Sequence, residues 1–324
     1  MNWPILLGGG VALLIGGLAA FSGATARKLE KAVPRDGKLM KVGADTLHYV
    51  DKGDGPPIVM IHGLGGQLRN FAASLVDDLA TDHRVILVDR PGSGYSVRGP
   101  GSTARLHSQA DSIAAFLREL RLDRPLIVGH SLGGALSLAI AIRHPDLVGG
   151  LALVAPLTQD QDQAQVPPVF KGLIIRNSAM RKAVGWTLAV PLGMAKAEEA
   201  LREIFAPDPV PANFGVDGGG LLAMRPSNFI ASSADICELE GELPPMVERY
   251  PTLSIPVAIL YGRGDNLLAP ALHGEKTASQ IPGARLTLVD GGHMLPFTDP
   301  SATLAFVRAA AERTFRKVPD AAVA

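Results

Sequence analysis

A serine lies between two glycines in the stretch "GHSLG", residues 129–133. A glycine two positions before a serine and another two positions after it are typical of a sharp strand-to-helix turn, because backbone segments approach there too closely for a side chain. Such a turn exposes the hydroxyl of Ser131 at its tip. A serine hydroxyl is a weak nucleophile near neutral pH and needs a general base to take its proton. The motif therefore predicts nucleophilic attack on a carbonyl group, assisted by a base from elsewhere in the chain.

His293 is the candidate base, because a histidine with an ordinary pKa of about 6.5 can accept a proton and return it near neutral pH. Asp265 is its candidate partner, which would accept a hydrogen bond from the other ring nitrogen and stabilise the imidazolium. We predict Ser131, Asp265 and His293 as the catalytic residues. His130 is adjacent to the serine on a tight turn and should point elsewhere. His62 is expected to stabilise its own loop by hydrogen bonds.

These residues follow short apolar runs that are typical of buried parallel strands. The runs are PIVMIHG, RVILVDR, PLIVGHS, GGLALVAP, PVAILYGRGD and ARLTLVDGGH, after a hairpin near residues 39–53. Helical patterns at 68–79, 103–120, 132–143, 270–280 and 301–316 separate or follow them. The alternation predicts an α/β fold with a mostly parallel central sheet flanked by helices. In such sheets the functional side chains gather at the carboxyl ends of the strands.

The alternation stops between residues 156 and 250, where no strand pattern is visible. We predict that this segment is a helical cap, inserted after the sixth strand and lying over the candidate site. Its apolar residues, Trp186 among them, could line an apolar pocket, although most are expected to pack the cap against the core. The predicted core is then 39–155 with 251–316, and residues 317–324 form a flexible tail.

The first 26 residues differ from the rest of the chain. From Trp3 to Phe21 there is no charged residue, and a helix of that length would extend about 28 Å, close to the thickness of a bilayer's hydrocarbon core. Basic residues follow directly, so we predict a transmembrane anchor at 1–26 and a linker at 27–38, with the catalytic domain in the cytoplasm. Two alternatives remain: a signal cleaved near Ala26, and an apolar helix packed on the protein itself.

Composition argues against several function classes. Thirty-one basic residues balance 31 acidic ones, and no basic cluster predicts nucleic-acid binding. One cysteine and no HExxH pattern argue against a metal site. No GxxxxGK[ST] phosphate loop is present, and the glycine tract near the start lacks the strand that a dinucleotide site requires. We therefore predict no cofactor, no metal and no nucleic-acid partner.

The motifs together resemble the α/β-hydrolase fold superfamily, over about residues 39–316. The resemblance rests on "HGL" at 62–64, "DRPGSGYS" at 89–96, the serine motif, Asp265 and His293, all in the superfamily's order. It implies that the backbone N–H groups of Leu64 and Leu132 form an oxyanion hole. Asp89 follows a predicted strand, and we expect it to have a structural role in the DRPGSGYS turn.

The residue type of the nucleophile limits the class of reaction that we expect. Related epoxide hydrolases and haloalkane dehalogenases have an aspartate at the position of Ser131, whereas serine favours acyl transfer. We predict hydrolysis of a small-molecule carboxylic ester through an acyl-enzyme, with an apolar or lipid-derived substrate, as in carboxylesterases and monoacylglycerol lipases. Three alternatives stay open. One is a hydrolase of carbon–carbon bonds, although these usually carry tryptophan where Met294 stands. The others are a cofactor-free haloperoxidase or perhydrolase, and a binding protein without turnover.

Overall fold

The computed structural model describes residues 3–160 and 166–316. The strands there are β1 (Lys38–Val42), β2 (Asp45–Lys52), β3 (Pro57–Ile61), β4 (Arg84–Val88), β5 (Leu126–His130), β6 (Gly150–Val154), β7 (Val257–Gly262) and β8 (Arg285–Val289). They form one sheet in the order β1-β2-β4-β3-β5-β6-β7-β8. The β1–β2 and β2–β4 pairs are antiparallel and the other pairs are parallel. The predicted mostly parallel sheet, with a hairpin before it, is confirmed.

Helices cover both faces of the sheet, because alternate strand residues point to opposite sides. On β5, Ile127 packs into one core while Leu126 and Val128 pack into the other. The first core is closed by α3 (Leu106–Glu119) and α4 (Leu132–Arg143), and the second by α2 (Ala73–Leu79) and α12 (Pro300–Phe315). Every residue of β5 is buried. Its carboxyl end therefore places Ser131 at the centre of the sheet edge.

The described residues between β6 and β7 form helices joined by loops, as predicted for a helical insertion after the sixth strand. Its helices are α5 (Pro168–Lys171), α6 (Ser178–Trp186), α7 (Ala189–Phe205), α8 (Pro226–Glu238) and α9 (Leu243–Val247). We call residues 156–250 the cap. Two short helices, α10 (Lys276–Gln280) and α11 (Leu295–Thr298), flank β8. The predicted tail at 317–324 lies outside the described residues.

The N-terminal helix, α1 (Trp3–Ala32), contacts the cap. Its Ser22 is fully buried, and its Glu30 forms an ion pair of 3.0 Å with Arg225 of the cap. In the part of the chain that the structure describes, no helix combines the length and the apolar character that crossing a bilayer requires. The predicted transmembrane anchor at 1–26, and the membrane localisation drawn from it, are therefore wrong. The contacts of its C-terminal half agree with the alternative of a helix packed on the protein itself, whereas Leu13, Leu14 and Ile15 of the apolar run are exposed.

The segment predicted as a linker, residues 27–38, begins as a helix. Helix α1 continues past Ala26 to Ala32, so the first part of the range 27–38 is helical. The residues there are mainly alanine, arginine, lysine, leucine and glutamate, which all have high helix propensity. The chain then reaches β1 through residues 33–37, which are neither helix nor strand.

Candidate active site

Ser131 occupies a strained turn between β5 and α4. Its φ of 54° and ψ of −121° are rare for a residue with a side chain. A Cβ at Gly129 would lie 2.4 Å from the Ser137 Oγ, and one at Gly133 would lie 2.2 Å from the Ile61 carbonyl oxygen. Backbone and side chains thus approach the turn as closely as the two glycines suggested. Ser131 thus has the backbone conformation that a sharp strand-to-helix turn requires.

His293 and Asp265 form a buried pair at the same edge of the sheet. The Nδ1 atom of His293 lies 2.7 Å from an Asp265 carboxylate oxygen. The other carboxylate oxygen accepts hydrogen bonds from the backbone N–H groups of Leu267 and Leu268. Burial alone would raise the pKa of Asp265, but the charge and hydrogen bond of His293 and the two N–H groups outweigh it and lower that pKa. A charged Asp265 can only accept, so Nδ1 donates and Nε2 is left as the ring atom able to take a proton.

His130 connects the serine turn to the His293 loop. Its Nε2–H donates to the His293 carbonyl oxygen at 3.0 Å, and the two ring centroids are 4.9 Å apart. Burial, with the nearby His293, lowers the pKa of His130 to about 3. The ring therefore stays neutral and serves as a hydrogen-bond donor to the backbone. This contact brings the residue beside Ser131 directly against His293.

The loop before His293 is held by the cap. The Gly292 N–H donates to an Asp208 carboxylate oxygen at 2.9 Å, and Asp208 lies just after α7. A Cβ at Gly292 would be 2.4 Å from the Ala206 carbonyl oxygen, so only glycine fits between this loop and the cap. Gly291, with φ of 118°, makes the turn that precedes it. Cap and core thus meet within one residue of the candidate base.

The loop after β3 brings Leu64 close to the serine. A Cβ at Gly63 would lie 2.8 Å from the Ser131 Cβ and 3.3 Å from its Oγ, so this loop packs directly on the nucleophile candidate. Within residues 3–160 and 166–316, the Leu64 N–H donates to no protein acceptor. An N–H group left unpaired beside a nucleophile is available to a substrate oxygen.

The Leu132 N–H lies at the first turn of α4. The Ser131 carbonyl oxygen accepts hydrogen bonds from Gly134 N–H at 2.8 Å and Leu157 N–H at 3.0 Å. Because the peptide group is planar, these bonds also fix the direction of the Leu132 N–H. In the described part of the chain this N–H likewise donates to no protein acceptor. The helix terminus adds a partial positive charge at this position.

Asp89 makes contacts that hold its own turn. Its carboxylate accepts hydrogen bonds from His48 Nδ1 and from the backbone N–H groups of Leu68 and Tyr95, at 2.7–2.8 Å. These are the contacts of a structural residue. Among the described residues, no group of three or more histidine, cysteine, aspartate or glutamate side chains is arranged to hold a metal ion.

Two charged residues at the site are missed by the sequence analysis, which assigns no role to Arg90 and does not single out Asp235 in the cap. Both side chains are completely buried, and the Arg90 Nη1 lies 2.9 Å from an Asp235 carboxylate oxygen. They are 145 positions apart in the chain. Only the position of Arg90 directly after a strand and within a glycine-rich turn could have drawn attention to it.

Comparison with known proteins points to the same fold. A family model described as "alpha/beta hydrolase fold" matches residues 56–190. The chain is 28% identical to a protein of Rhizobium rhizogenes named as the putative carbamate hydrolase RutD, over 82% of this chain and 98% of that protein. It is 37% identical to a 2-hydroxy-6-oxo-2,4-heptadienoate hydrolase of Pseudomonas putida, over 36% of this chain and 44% of that one.

A solved structure shows the same architecture over most of the chain. A thermophilic esterase from Thermogutta terrifontis superposes with a TM-score of 0.69 at 21% identity, covering 86% of this chain and 99% of the esterase. At that identity the likeness concerns the fold. The sheet order, the serine turn and these matches together show that the chain has the α/β-hydrolase fold.

Proposed function

We propose that this protein is a serine hydrolase that cleaves carboxylic esters through an acyl-enzyme intermediate. The observation that carries the proposal is the 2.7 Å contact between His293 Nδ1 and Asp265, in a loop that packs against the residue next to Ser131. In the first step the Ser131 Oγ attacks the ester carbonyl carbon while His293 Nε2 takes the hydroxyl proton. The C–O bond to the alcohol then breaks, and the imidazolium returns the proton to the departing alcohol. Water, deprotonated by the same nitrogen, hydrolyses the acyl-enzyme.

The negative charge of each tetrahedral intermediate needs fixed donors. We assign these to the Leu64 and Leu132 N–H groups, which have no protein acceptor among the described residues. Loss of one such donor typically costs about 3 to 4 kcal/mol of transition-state stabilisation. Both donors are main-chain groups, so the turns that carry them matter more than the leucine side chains.

An apolar substrate is supported by the surroundings of His293. Met294, which follows it, packs with Phe205 and Phe214 of the cap and with Phe297. The Phe214 ring centroid lies 4.7 Å from that of Phe205 and 5.2 Å from that of Phe297. These side chains are buried against one another and hold the cap beside His293. We propose that the cap, residues 156–250, covers the site and favours an apolar acyl chain. Lipid-derived esters fit this chemistry. The similarity to a protein named as a carbamate hydrolase also supports attack on a carbonyl bonded to a heteroatom.

A fluorophosphonate probe tests the nucleophile directly, because it reacts with serines activated by a base. We expect the purified full chain to be labelled and Ser131→Ala to remain unlabelled. Ser279→Ala is the matched control, since Ser279 is an exposed residue of α10, and it should label normally. A series of p-nitrophenyl esters of increasing acyl length then tests the substrate class. Labelling of the Ser131→Ala variant, or no ester hydrolysis by the labelled wild type, would contradict the proposal.

Hydrolysis of a carbon–carbon bond is the second candidate. One observation favours it, the 37% identity over 120 residues to the heptadienoate hydrolase of Pseudomonas putida. We expect a 2-hydroxy-6-oxo-dienoate to be cleaved more slowly than the best p-nitrophenyl ester. The opposite order of kcat/KM would favour the second candidate, with the same serine labelled by the probe.

A further inference from the structure

Arg90 lies at the centre of a buried network that links the loop carrying Leu64 to the cap. Its side chain has no exposed surface. The guanidinium donates to the carbonyl oxygens of His62 and Gly63, each at 3.1 Å, and to Gln109 Oε1 at 3.0 Å. Its remaining bond goes to Asp235, at 2.9 Å. A fully buried cation with this many partners is held in a single position.

The Gly63 carbonyl oxygen is the atom through which Arg90 acts on the site. It accepts from Arg90 Nη2, from His62 Nδ1 at 2.8 Å and, at the longer distance of 3.4 Å, from the Gly66 N–H. His62 Nε2 accepts the Arg90 backbone N–H at 3.0 Å, so the single ring proton must reside on Nδ1. Burial, together with the positive charge of Arg90, lowers the pKa of His62 to about 4. The neutral ring therefore keeps this one tautomer near neutral pH.

Gly63 and Leu64 share one peptide group. In a trans peptide the C=O of the first residue and the N–H of the second lie in one plane and point in opposite directions. The donors on the Gly63 oxygen, of which Arg90 and His62 are the nearer, therefore also set the direction of the Leu64 N–H. A rotation of this plane would turn that N–H away from a substrate oxygen beside Ser131.

Asp235 fixes Arg90 from the cap side. It lies on α8 and is completely buried, and its other carboxylate oxygen accepts from Arg98 at 2.9 Å and from Gln109 at 3.3 Å. The same helix reaches the loop a second time, where Asn228 Nδ2 donates to the Gly65 carbonyl oxygen at 3.0 Å. Helix α8 thus holds the loop on both sides of Leu64.

We propose that Arg90 is a positioning residue for the oxyanion donor at Leu64, and that Asp235 makes the direction of this donor depend on the placement of cap helix α8. The proposal rests on the proposed function, since it needs the Leu64 N–H to act as an oxyanion donor. It implies that the cap contributes to transition-state stabilisation as well as to substrate binding. A change in Arg90 should then lower kcat and leave KM nearly constant, because the oxyanion exists only after attack.

Arg90→Lys and Asp235→Asn test the proposal on the full chain, with a p-nitrophenyl ester as substrate and a boronic acid as tetrahedral analogue. A lysine keeps the charge but cannot reach both carbonyl oxygens. We expect kcat to fall about 10- to 100-fold in both variants, with KM within about twofold of wild type. The affinity for the boronic acid should fall by about the same factor as kcat. Arg143→Lys is the matched control, because Arg143 contacts Asp111 through two nitrogens on the exposed surface and touches neither Asp235 nor the Leu64 loop, and its kcat should stay near wild type.

Fluorophosphonate labelling separates failure of this inference from failure of the proposed function. Labelled wild type, with kcat and boronic acid affinity unchanged in the folded Arg90→Lys and Asp235→Asn variants, would overturn the inference and leave the serine hydrolase proposal standing. A loss of kcat explained entirely by a smaller folded fraction would also overturn it. If Arg90→Lys does not fold, the kcat and boronic acid affinity of the nearly isosteric Asp235→Asn variant decide the outcome. A wild type that neither labels nor hydrolyses esters would remove both proposals.

Discussion

In the proposed reaction, Asp265 acts through the proton that it keeps on His293. Its carboxylate accepts from Nδ1 at 2.7 Å and from two backbone N–H groups on its other oxygen. An asparagine there would turn its NH₂ group toward Nδ1 or toward those N–H groups. Either orientation loses a bond, and the first moves the ring proton to Nε2, where it blocks proton transfer from the serine.

We therefore expect Asp265→Asn to lower kcat for ester hydrolysis about 10³- to 10⁴-fold. KM should change little, because the carboxylate is buried behind the ring. Steady-state rates with a p-nitrophenyl ester give the result, and thermal unfolding followed by circular dichroism verifies that the variant is folded. Near-normal turnover by a folded Asp265→Asn protein would mean that another residue supports the base.

A substitution of Gly133 tests whether the serine turn depends on the absence of a side chain at this position. A Cβ there would lie 2.2 Å from the Ile61 carbonyl oxygen and 2.6 Å from that of His62. We expect Gly133→Ala to lower the free energy of unfolding by about 1 to 3 kcal/mol and to weaken fluorophosphonate labelling, since the turn must shift. Gly193→Ala is the matched control. A Cβ added to this glycine of α7 would meet no neighbouring group within 4 Å, so alanine should stabilise by about 0.5 to 1 kcal/mol.

Urea denaturation of both glycine variants measures the two effects on one scale. The expected signs are opposite for the same chemical change. A Gly133→Ala protein as stable and as reactive as wild type would show that the turn tolerates a side chain.

At the scale of elements, the helix after the serine could be predicted to the residue. Its predicted range, 132–143, is the observed range of α4, because the strained turn sets its start and Pro145 limits its end. The strands could also be predicted, since a buried parallel strand is a short apolar run between turn residues. The prediction of a membrane span for α1 is wrong. It rests on the absence of charge between Trp3 and Phe21, whereas the contacts of Ser22 and Glu30 with the cap depend on tertiary packing, which has no pattern in the sequence.

Arg225 joins α1, the cap and the core at one point. It lies directly before α8, pairs with Glu30 of α1, donates to the Gly94 carbonyl oxygen and lies 4.8 Å from the centre of the Tyr95 ring. We expect Arg225→Met to lower the free energy of unfolding by about 2 kcal/mol, chiefly because the buried Gly94 carbonyl loses its donor. The ion pair with the exposed Glu30 carboxylate should contribute little.

Arg176→Met provides the comparison for Arg225→Met. Arg176 also pairs with a glutamate, Glu240, but both side chains are more than half exposed. Urea denaturation should detect no change for Arg176→Met. If both variants changed the free energy of unfolding equally, Arg225 would contribute no more than a residue in a surface ion pair. It would then have no special role in joining α1, the cap and the core.

At the scale of the whole molecule, the candidate triad was accessible to sequence analysis because of topology. Each of its members follows a strand of a parallel sheet, and such strands end at one edge. No comparable rule applies to Arg90 and Asp235. One follows a strand and the other lies within a cap helix, and their contact depends on how the cap is placed over the sheet. That placement results from tertiary packing, which leaves no periodic pattern in the sequence.

Three buried histidines should make the stability of the whole protein depend on pH. Burial, as the largest cause, lowers the pKa of His62 and His273 to about 4 and that of His130 to about 3. In the unfolded chain each would return to about 6.5. Between pH 6.5 and 4 the unfolded state therefore binds more protons, so the stabilisation present above pH 6.5 is lost as the pH falls. His48 has the opposite effect. Burial lowers its pKa, but its contacts with Asp89 and Asp36 raise that pKa by more. Its contribution to the free energy of unfolding is therefore lost only above pH 6.5.

The slope of stability against pH tests this directly. Each of the three histidines contributes up to about 1.4 kcal/mol per pH unit between pH 6.5 and 4. His273→Asn should reduce that slope by about a third, because asparagine does not titrate and its Oδ1 can still accept the Thr158 and Gln159 N–H groups that Nδ1 accepts now. Urea denaturation at half-unit pH intervals gives the slopes for both proteins. Identical slopes for wild type and His273→Asn would mean that His273 is protonated in the folded protein, in conflict with its buried position between two backbone donors.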